Sequence, residues 1–434
     1  MKKLTAVALL ASFTLAQGAV RQWTNTLGGN WFAAGNWSPN SVPVSIDTAN
    51  ITVPGTYTIQ IPTGTVAIAT LNLGAASGVQ TIQIATANPI TVTNLGTVNA
   101  NGILSMTAGG LQGRFLVQPG GQLNFGGSAN KNVYNLNLAN RGTIVWSGGN
   151  LLGGSTTSTV ISNGGLWQIT SDAQIYQTYG GPQLRLLNSG TIQKNGGTGT
   201  SHISDFQFTN RPGAIVQVSS GTLQFNGGTS NQLGGQFSTV SPGLISIAGG
   251  TWLDAGGTAS GTGIARFQGG TLNLRTNIIP NLMLTGGEVF VIGNTFQQAG
   301  AITNLAIDGS QLKGTNRVGS GTLVVRSGGI EGRLTVQPGG TVQFSETANK
   351  NVYNLQLNNQ GTVAWSGGNL LSGSTSSTTI SNGGLWSMTS NDQIYQTYGG
   401  PALTFTNSGI VRKAGGATTS FISDFNFVNR PGAT

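Results

Sequence analysis

Bond-making and bond-breaking chemistry needs side chains that carry protons, charge or metal, and this chain has few. Its 434 residues include ten acids, one histidine, His202, and no cysteine. Without cysteine there is neither a disulfide nor a thiolate. His202 has no second histidine with which to share zinc, and HExxH and GxSxG are both missing, so a zinc-protease or serine-hydrolase centre has no residues to use. The acids Asp47, Asp172, Asp205, Asp254, Glu288, Asp308, Glu331, Glu346, Asp392 and Asp424 are spread singly along the chain. Glycoside hydrolysis needs two carboxylates facing each other across a bond, roughly 5–10 Å apart. Asp205 and Asp424 stand in matching ISDF contexts, and each is expected to satisfy its own backbone at a coil corner. Arg114, Arg211, Arg333 and Arg430 lack the clustered acids that accompany the base of a calcium-using lyase, and the GGxGxDx calcium repeat is missing. No catalytic residue, cofactor or metal is assigned.

Recognition is the chemistry left. Trp146 and Trp365 in the WSGGNLL runs, and Tyr176, Tyr179, Tyr395 and Tyr398 in the two IYQTYGG runs, are the candidate contacts for carbohydrate or protein. In TIVW, Ile144 and Trp146 share a strand face, so a buried Ile144 would take Trp146 into the core. Tyr176 and Tyr179 are separated by an odd step and cannot both point inward on one straight strand. One tyrosine of each pair is therefore expected at the surface.

These residues are positioned by a stretch the chain contains twice. Residues 102–215 reappear at 321–434 with a constant offset of 219, Gly102 matching Gly321, Trp146 matching Trp365 and Asp205 matching Asp424. Within each copy, glycine followed by a short alternating run recurs about every 18–25 residues, the period of a strand solenoid whose units bury their apolar faces on their neighbours. Runs such as TYTIQI and PITVTNL alternate apolar with polar residues, the period of a half-buried strand, and no helical stripe competes. The fold expected is all-β, a single-stranded parallel β-helix with right-handed coiling. About ten coils would fill the offset, so the duplication is expected to be a whole multiple of the coil, with the copies' faces aligned. At roughly 4.8 Å per coil, Asp205 and Asp424 would then lie near 50 Å apart. Gly165 and Gly384, in NGG turns, are expected to hold positive φ. Asn132, Asn135, Asn137 and Asn140, in and beside YNLNL, are expected to form stacked amide ladders along the corners.

Three segments are read. Residues 1–19 have Lys2 and Lys3, an apolar run from Leu4 to Leu15 and small residues at Ala16, Gly18 and Ala19, the pattern of a signal peptide cleaved after Gly18 or Ala19. Residues 20–60 carry Trp23, Trp31 and Trp37 with three prolines. This reads as a cap over the open end of the solenoid, with a sugar-binding platform as the alternative. Residues 61–434 form the β-helix, whose uncapped pattern at the end expects continuation beyond 434. The net charge of +9 includes Lys2 and Lys3, and the rest is scattered without a basic patch, so nucleic acid is not an expected partner. No later stretch reads as a transmembrane segment, and the mature chain is expected to be secreted or at the outer cell surface.

Two GNW triplets, Gly29-Asn30-Trp31 and Gly35-Asn36-Trp37, the second followed by Ser38, Pro43, Asp47 and Ile51, resemble the start of autotransporter-like passenger domains and related exported Gly-rich β-helical proteins of Gram-negative bacteria. The motif covers about 30 residues. The resemblance implies export and a parallel β-helix, often adhesive or structural, and carries over no catalytic residue. The carboxy-terminal β-barrel of true autotransporters is missing from this sequence.

Three functions fit this reading. One is an exported structural or adhesive rod presenting a repetitive polar surface to glycans, to host or neighbouring-cell surface proteins, or to itself, without catalysis. Another is a polysaccharide lyase or hydrolase, which would need an Arg or Lys converging with at least two acids. The last is a self-assembling extracellular matrix or filament component.

Overall fold

The computed structural model describes residues 18–275, 279–292, 302 and 304–434. The signal-peptide reading falls almost wholly outside them. The chain winds into a parallel β-solenoid of about 17 turns. In the repeated blocks each turn contributes three short strands. Leu136–Asn140, Thr143–Trp146 and Leu151–Gly153 make one such turn, and each hydrogen-bonds in parallel to the strand one coil later: Val160–Asn163, Leu166–Ile169 and Gln174–Gln177. In the first block we call these the amide, indole and tyrosine faces.

Alternation decides what lies inside. In Thr143–Trp146, Ile144 and Trp146 are buried while Thr143 and Val145 look outward, and the same alternation in most of the described strands produces one apolar column. Each coil can bury its inward residues only against its neighbours, so the column needs a cover at its ends. At the amino end Trp23, Trp31 and Trp37 are buried against one another, with edge-to-face ring contacts at 5.1 and 4.8 Å. Val20–Trp23 pairs antiparallel with Trp37–Ser38, the one antiparallel pairing among the described residues. Being buried, these indoles form no sugar platform.

Asparagines hold the corners. Asn140 Nδ2 donates to Asn163 Oδ1 (2.7 Å), Asn163 to Asn188 (2.8 Å), and Asn188 to Asn210 (2.8 Å), and all four are buried. The second block repeats this with Asn359, Asn382, Asn407 and Asn429. Asn140 thus joins a ladder as expected, whereas Asn135 does not. Asn135 instead occupies the left-handed region (φ 53°), and its Oδ1 accepts hydrogen bonds from Thr157 N and Oγ1, both 2.8 Å.

The expectation of positive φ at Gly165 and Gly384 is corrected. Neither is among the positive-φ residues. Glycine is required there by close approach, because a Cβ on Gly165 would land on the carbonyl oxygen of Gly142, and one on Gly384 on that of Gly361.

The expected alignment of the two copies is also corrected. From Leu136–Asn140 on the amide face, ten successive pairings lead through Val160–Asn163, Leu184–Asn188, Phe206–Asn210, Asn231–Leu233, Thr251–Asp254, Thr271–Leu274, Glu288–Val291, Leu305–Lys313 and Gly321–Ile330 to Lys350–Asn351. Lys350–Asn351 duplicates Lys131–Asn132, a strand of the tyrosine face. The true duplicate of Leu136–Asn140, Leu355–Asn359, belongs to a separate sheet with Thr315–Val318 and Gly332–Val336. The offset therefore spans ten coils plus one face. The shorter coils between the blocks, as from Leu244 to Ile264 and Thr271 to Glu288 in register, are where the phase changes. Every feature of the second copy consequently lies one face further round the rod than its counterpart.

Candidate functional site

The sequence-expected contact residues separate into core and surface. Trp146 is fully buried and Trp365 is 1% exposed, their indole N–H groups donating to the carbonyls of Gly149 and Gly368 at 2.8 Å. Both are core residues and are withdrawn as contact candidates, for the reason the alternation with Ile144 foreshadowed. Tyr176 and Tyr395 follow the inward Ile175 and Ile394 and are half-buried on the outer side of their strands. Tyr179 and Tyr398 lie past the ends of those strands and are 51% and 53% exposed. Neither tyrosine of a pair points inward, because the strand stops at Gln177 or Gln396 before the odd step is reached.

Each exposed tyrosine stands edge-on to a second one that was not among the expected contact residues. Tyr179 meets Tyr134 with ring centroids 5.5 Å apart at 81°, and Tyr398 meets Tyr353 at 5.7 Å and 84°. The two rings, an amide and a serine enclose a shallow surface groove. Tyr134, Tyr179, Asn132 and Ser155 line one of about 220 Å³, and Tyr353, Tyr398, Asn351 and Ser374 line one of about 260 Å³. In the first, Tyr179 OH donates to Asn132 Oδ1 at 3.1 Å.

Local chemistry explains the position of Tyr179. It is followed by Gly180, Gly181 and Pro182, and both glycines take positive φ (67° and 89°). The turn folds back so that Ser155 N donates to the Gly180 carbonyl at 3.0 Å, and Gly181 packs on the Ser155 carbonyl where a Cβ would collide. Ser155 and Ser374 have φ of 142° and 139°, a region that glycine enters freely and serine only at a cost of about 1–3 kcal/mol. Among the described residues Ser155 Oγ has no hydrogen-bond partner. The same serine conformation recurs at the groove in both copies.

The remaining candidates are structural. Asp205 and Asp424 hold left-handed conformations (φ 64° and 63°), and their Oδ2 atoms accept from Gln177 N and Gln396 N at 3.1 Å. They satisfy the backbone of an adjacent coil rather than their own turn. His202 is half-buried beside Asn226, 3.3 Å away, and burial lowers its pKa. No group of three His, Asp or Glu suited to a metal occurs among the described residues, and no helix there is long and apolar enough to cross a membrane.

Sequence reasoning missed two charged features. Lys131, Lys194 and Lys350 are fully buried. Lys131 Nζ donates to the carbonyls of Gly127 (3.1 Å) and Gly148 (2.8 Å), and burial lowers its pKa to about 8, as it does for Lys350. Lys194 Nζ bonds the carbonyls of Ser171 and Gly196 and the Asp172 carboxylate, each at 2.9 Å. The interior position of Lys131 in KNVYNL, two before the apolar Val133, is the only signal the sequence held. The second feature is an ion cluster in which Lys313 Nζ lies 2.6 Å from Glu288 and 3.3 Å from Glu331. The hydrogen bond to Glu288 leads the effects that raise the pKa of Lys313.

No protein-family model matches the chain, and no curated protein matches it.

Proposed function

We propose that this protein is an exported structural or adhesive β-helical rod that holds uncharged saccharide in its two tyrosine grooves, without catalysis. The observation that carries the reading is the recurrence, 219 residues apart, of one assembly: two perpendicular tyrosine rings, an amide and a strained serine with a free hydroxyl. A pyranose ring offers apolar C–H faces and a polar hydroxyl edge. The tyrosines supply the apolar wall, and Asn132 and Ser155 supply polar partners, the division of labour usual in small-ligand sites. These grooves are smaller than the clefts that enclose a whole drug-sized ligand, so each suits one or two sugar rings. No charged side chain lines either groove, which favours a neutral glycan. Export is supported by the pattern of residues 1–19 and the GNW resemblance.

The enzymatic alternative has one observation in its favour, because Lys313 does converge with two carboxylates. Its electrostatics run the other way. A lysine acting as base must lose its proton near neutral pH, and Glu288 and Glu331 hold the Lys313 proton more tightly.

A glycan-array screen of the mature chain, with release of reducing ends measured in parallel, tests both readings. Binding to uncharged glycans that disappears in the Tyr179→Ala/Tyr398→Ala double variant, with no release, is expected. Binding unchanged in that variant would remove the grooves from the account. Release abolished by Glu331→Gln would establish the enzyme.

A further inference from the structure

The phase change between the copies gives the two grooves different directions. Column by column, Lys131–Asn132 of the first groove belongs to the tyrosine face, whereas Lys350–Asn351 of the second stands ten coils along the amide face. Had the offset been a whole number of coils, both grooves would open on one side, and a single extended ligand could lie across them. The extra face turns the second groove about a third of the way round a three-faced rod, at an axial distance of roughly 50 Å for ten coils at 4.8 Å each.

We propose that the rod is a cross-bridge: it binds two separate saccharide strands, one in each groove, on different sides of its axis. The inference rests on the saccharide reading of the grooves. A linear β-1,4-glucan is an extended ribbon whose rings carry their hydroxyls equatorially, leaving flat C–H faces to lie on an aromatic wall. To reach both grooves, one such ribbon would have to wind around the rod. Two-site binding to one molecule raises affinity only when the geometry lets both sites engage together. Here the geometry separates them, so the second site links a second strand instead of strengthening hold on the first. The body between the grooves is suited to this task. Successive parallel strand pairings join them along one column from Leu136–Asn140 to Lys350–Asn351, and the buried Asn140–Asn210 ladder locks the corners of the coils beside the first groove.

The test uses the intact mature chain, cellohexaose as a short probe and hydroxyethylcellulose as the polymer. Equilibrium binding of cellohexaose reports the grooves, and the viscosity of dilute hydroxyethylcellulose reports bridging. The wild type is expected to bind cellohexaose and to raise polymer viscosity several-fold, with a maximum when grooves and strands are balanced and a decline in protein excess. Tyr179→Ala and Tyr398→Ala are each expected to keep cellohexaose binding at the remaining groove and to lose the viscosity rise. If the wild type binds the polymer at least tenfold more tightly than either single variant and does not raise viscosity, one strand spans both grooves; the bridging inference then fails while the saccharide reading stands. If neither probe binds, both fail.

Discussion

The buried asparagine ladder offers a quantitative test of what holds the coils in register. Asn163 is fully buried and sits mid-ladder. Its Oδ1 accepts from Asn140, and its Nδ2 donates to Asn188 Oδ1 at 2.8 Å and to the Thr191 carbonyl at 3.0 Å. Asn163→Ala leaves an Asn140 donor, the Asn188 amide oxygen and the Thr191 carbonyl each short of a partner in a site closed to water. An unsatisfied buried group costs about 1–3 kcal/mol. Some carbonyls keep their ladder bonds, so the expected loss is about 2–5 kcal/mol. A solenoid loses stability locally, so hydrogen exchange over residues 160–190 is the suitable assay. Protection there should fall by roughly thirty- to several-thousand-fold, at about 1.4 kcal/mol per decade. Asn382→Ala should do the same at 379–409. The control is Gln193, whose amide bonds Gln217 at 3.1 Å on the partly exposed outer surface; Gln193→Ala should stay within about 0.5 kcal/mol. Equal effects of the Asn163 and Gln193 replacements would refute the claim that burial gives the ladder its weight.

Other predictions follow from the same geometry. Gly165→Val and Gly384→Val should each lower thermal stability through collision with the preceding coil's carbonyl, and an unchanged midpoint by calorimetry would remove the close-approach argument. Ser155→Gly should raise stability by about 1 kcal/mol by relieving the φ of 142° while weakening saccharide binding; a less stable variant would show that the strain is not there. Burial brings the Lys131 pKa from 10.5 to about 8, so between those values the unfolded chain binds more protons than the folded one and stability contributed by this site rises with pH. Below pH 8 the cost of the buried charge is complete. In denaturant titrations from pH 8 to 10, wild type should therefore gain on Lys131→Met, and a flat difference would mean that Lys131 titrates ordinarily. Finally, Ala19 N donates to the buried Asp47 carboxylate at 2.7 Å. Cleavage after Gly18 would place a free ammonium there, whereas cleavage after Ala19 would delete the donor. The mass of exported protein should correspond to a chain beginning at Ala19, and one beginning at Val20 would contradict this.

Much of the architecture was legible in the sequence, because period-two alternation and glycine punctuation describe strands and corners directly. The burial of Trp146 follows from its sharing a face with Ile144, and the Asn140 ladder from asparagine recurring at corners. Other features depend on distances between coils that one sequence does not contain. Gly165 looks like a positive-φ turn residue, yet it is glycine because a neighbouring carbonyl comes too close. Tyr134 and Tyr179 are 45 residues apart and meet only because their coils stack with a single coil between them. The one-face rotation of the copies was hidden for a subtler reason. Coil length varies between the blocks, so a constant offset fixes the register of residues but leaves the number of faces in 219 residues open. Lys131 was passed over because a lone lysine is ordinarily exposed, and only the converging carbonyls of Gly127 and Gly148 make its burial tolerable.

The central claim, that both tyrosine grooves are saccharide sites, is tested most directly by the stoichiometry of cellohexaose binding in isothermal titration calorimetry. The account predicts two sites per chain in the wild type, one in Tyr179→Ala, one in Tyr398→Ala and none in the double variant. Retention of binding by the double variant, with its fold intact by circular dichroism, would contradict it.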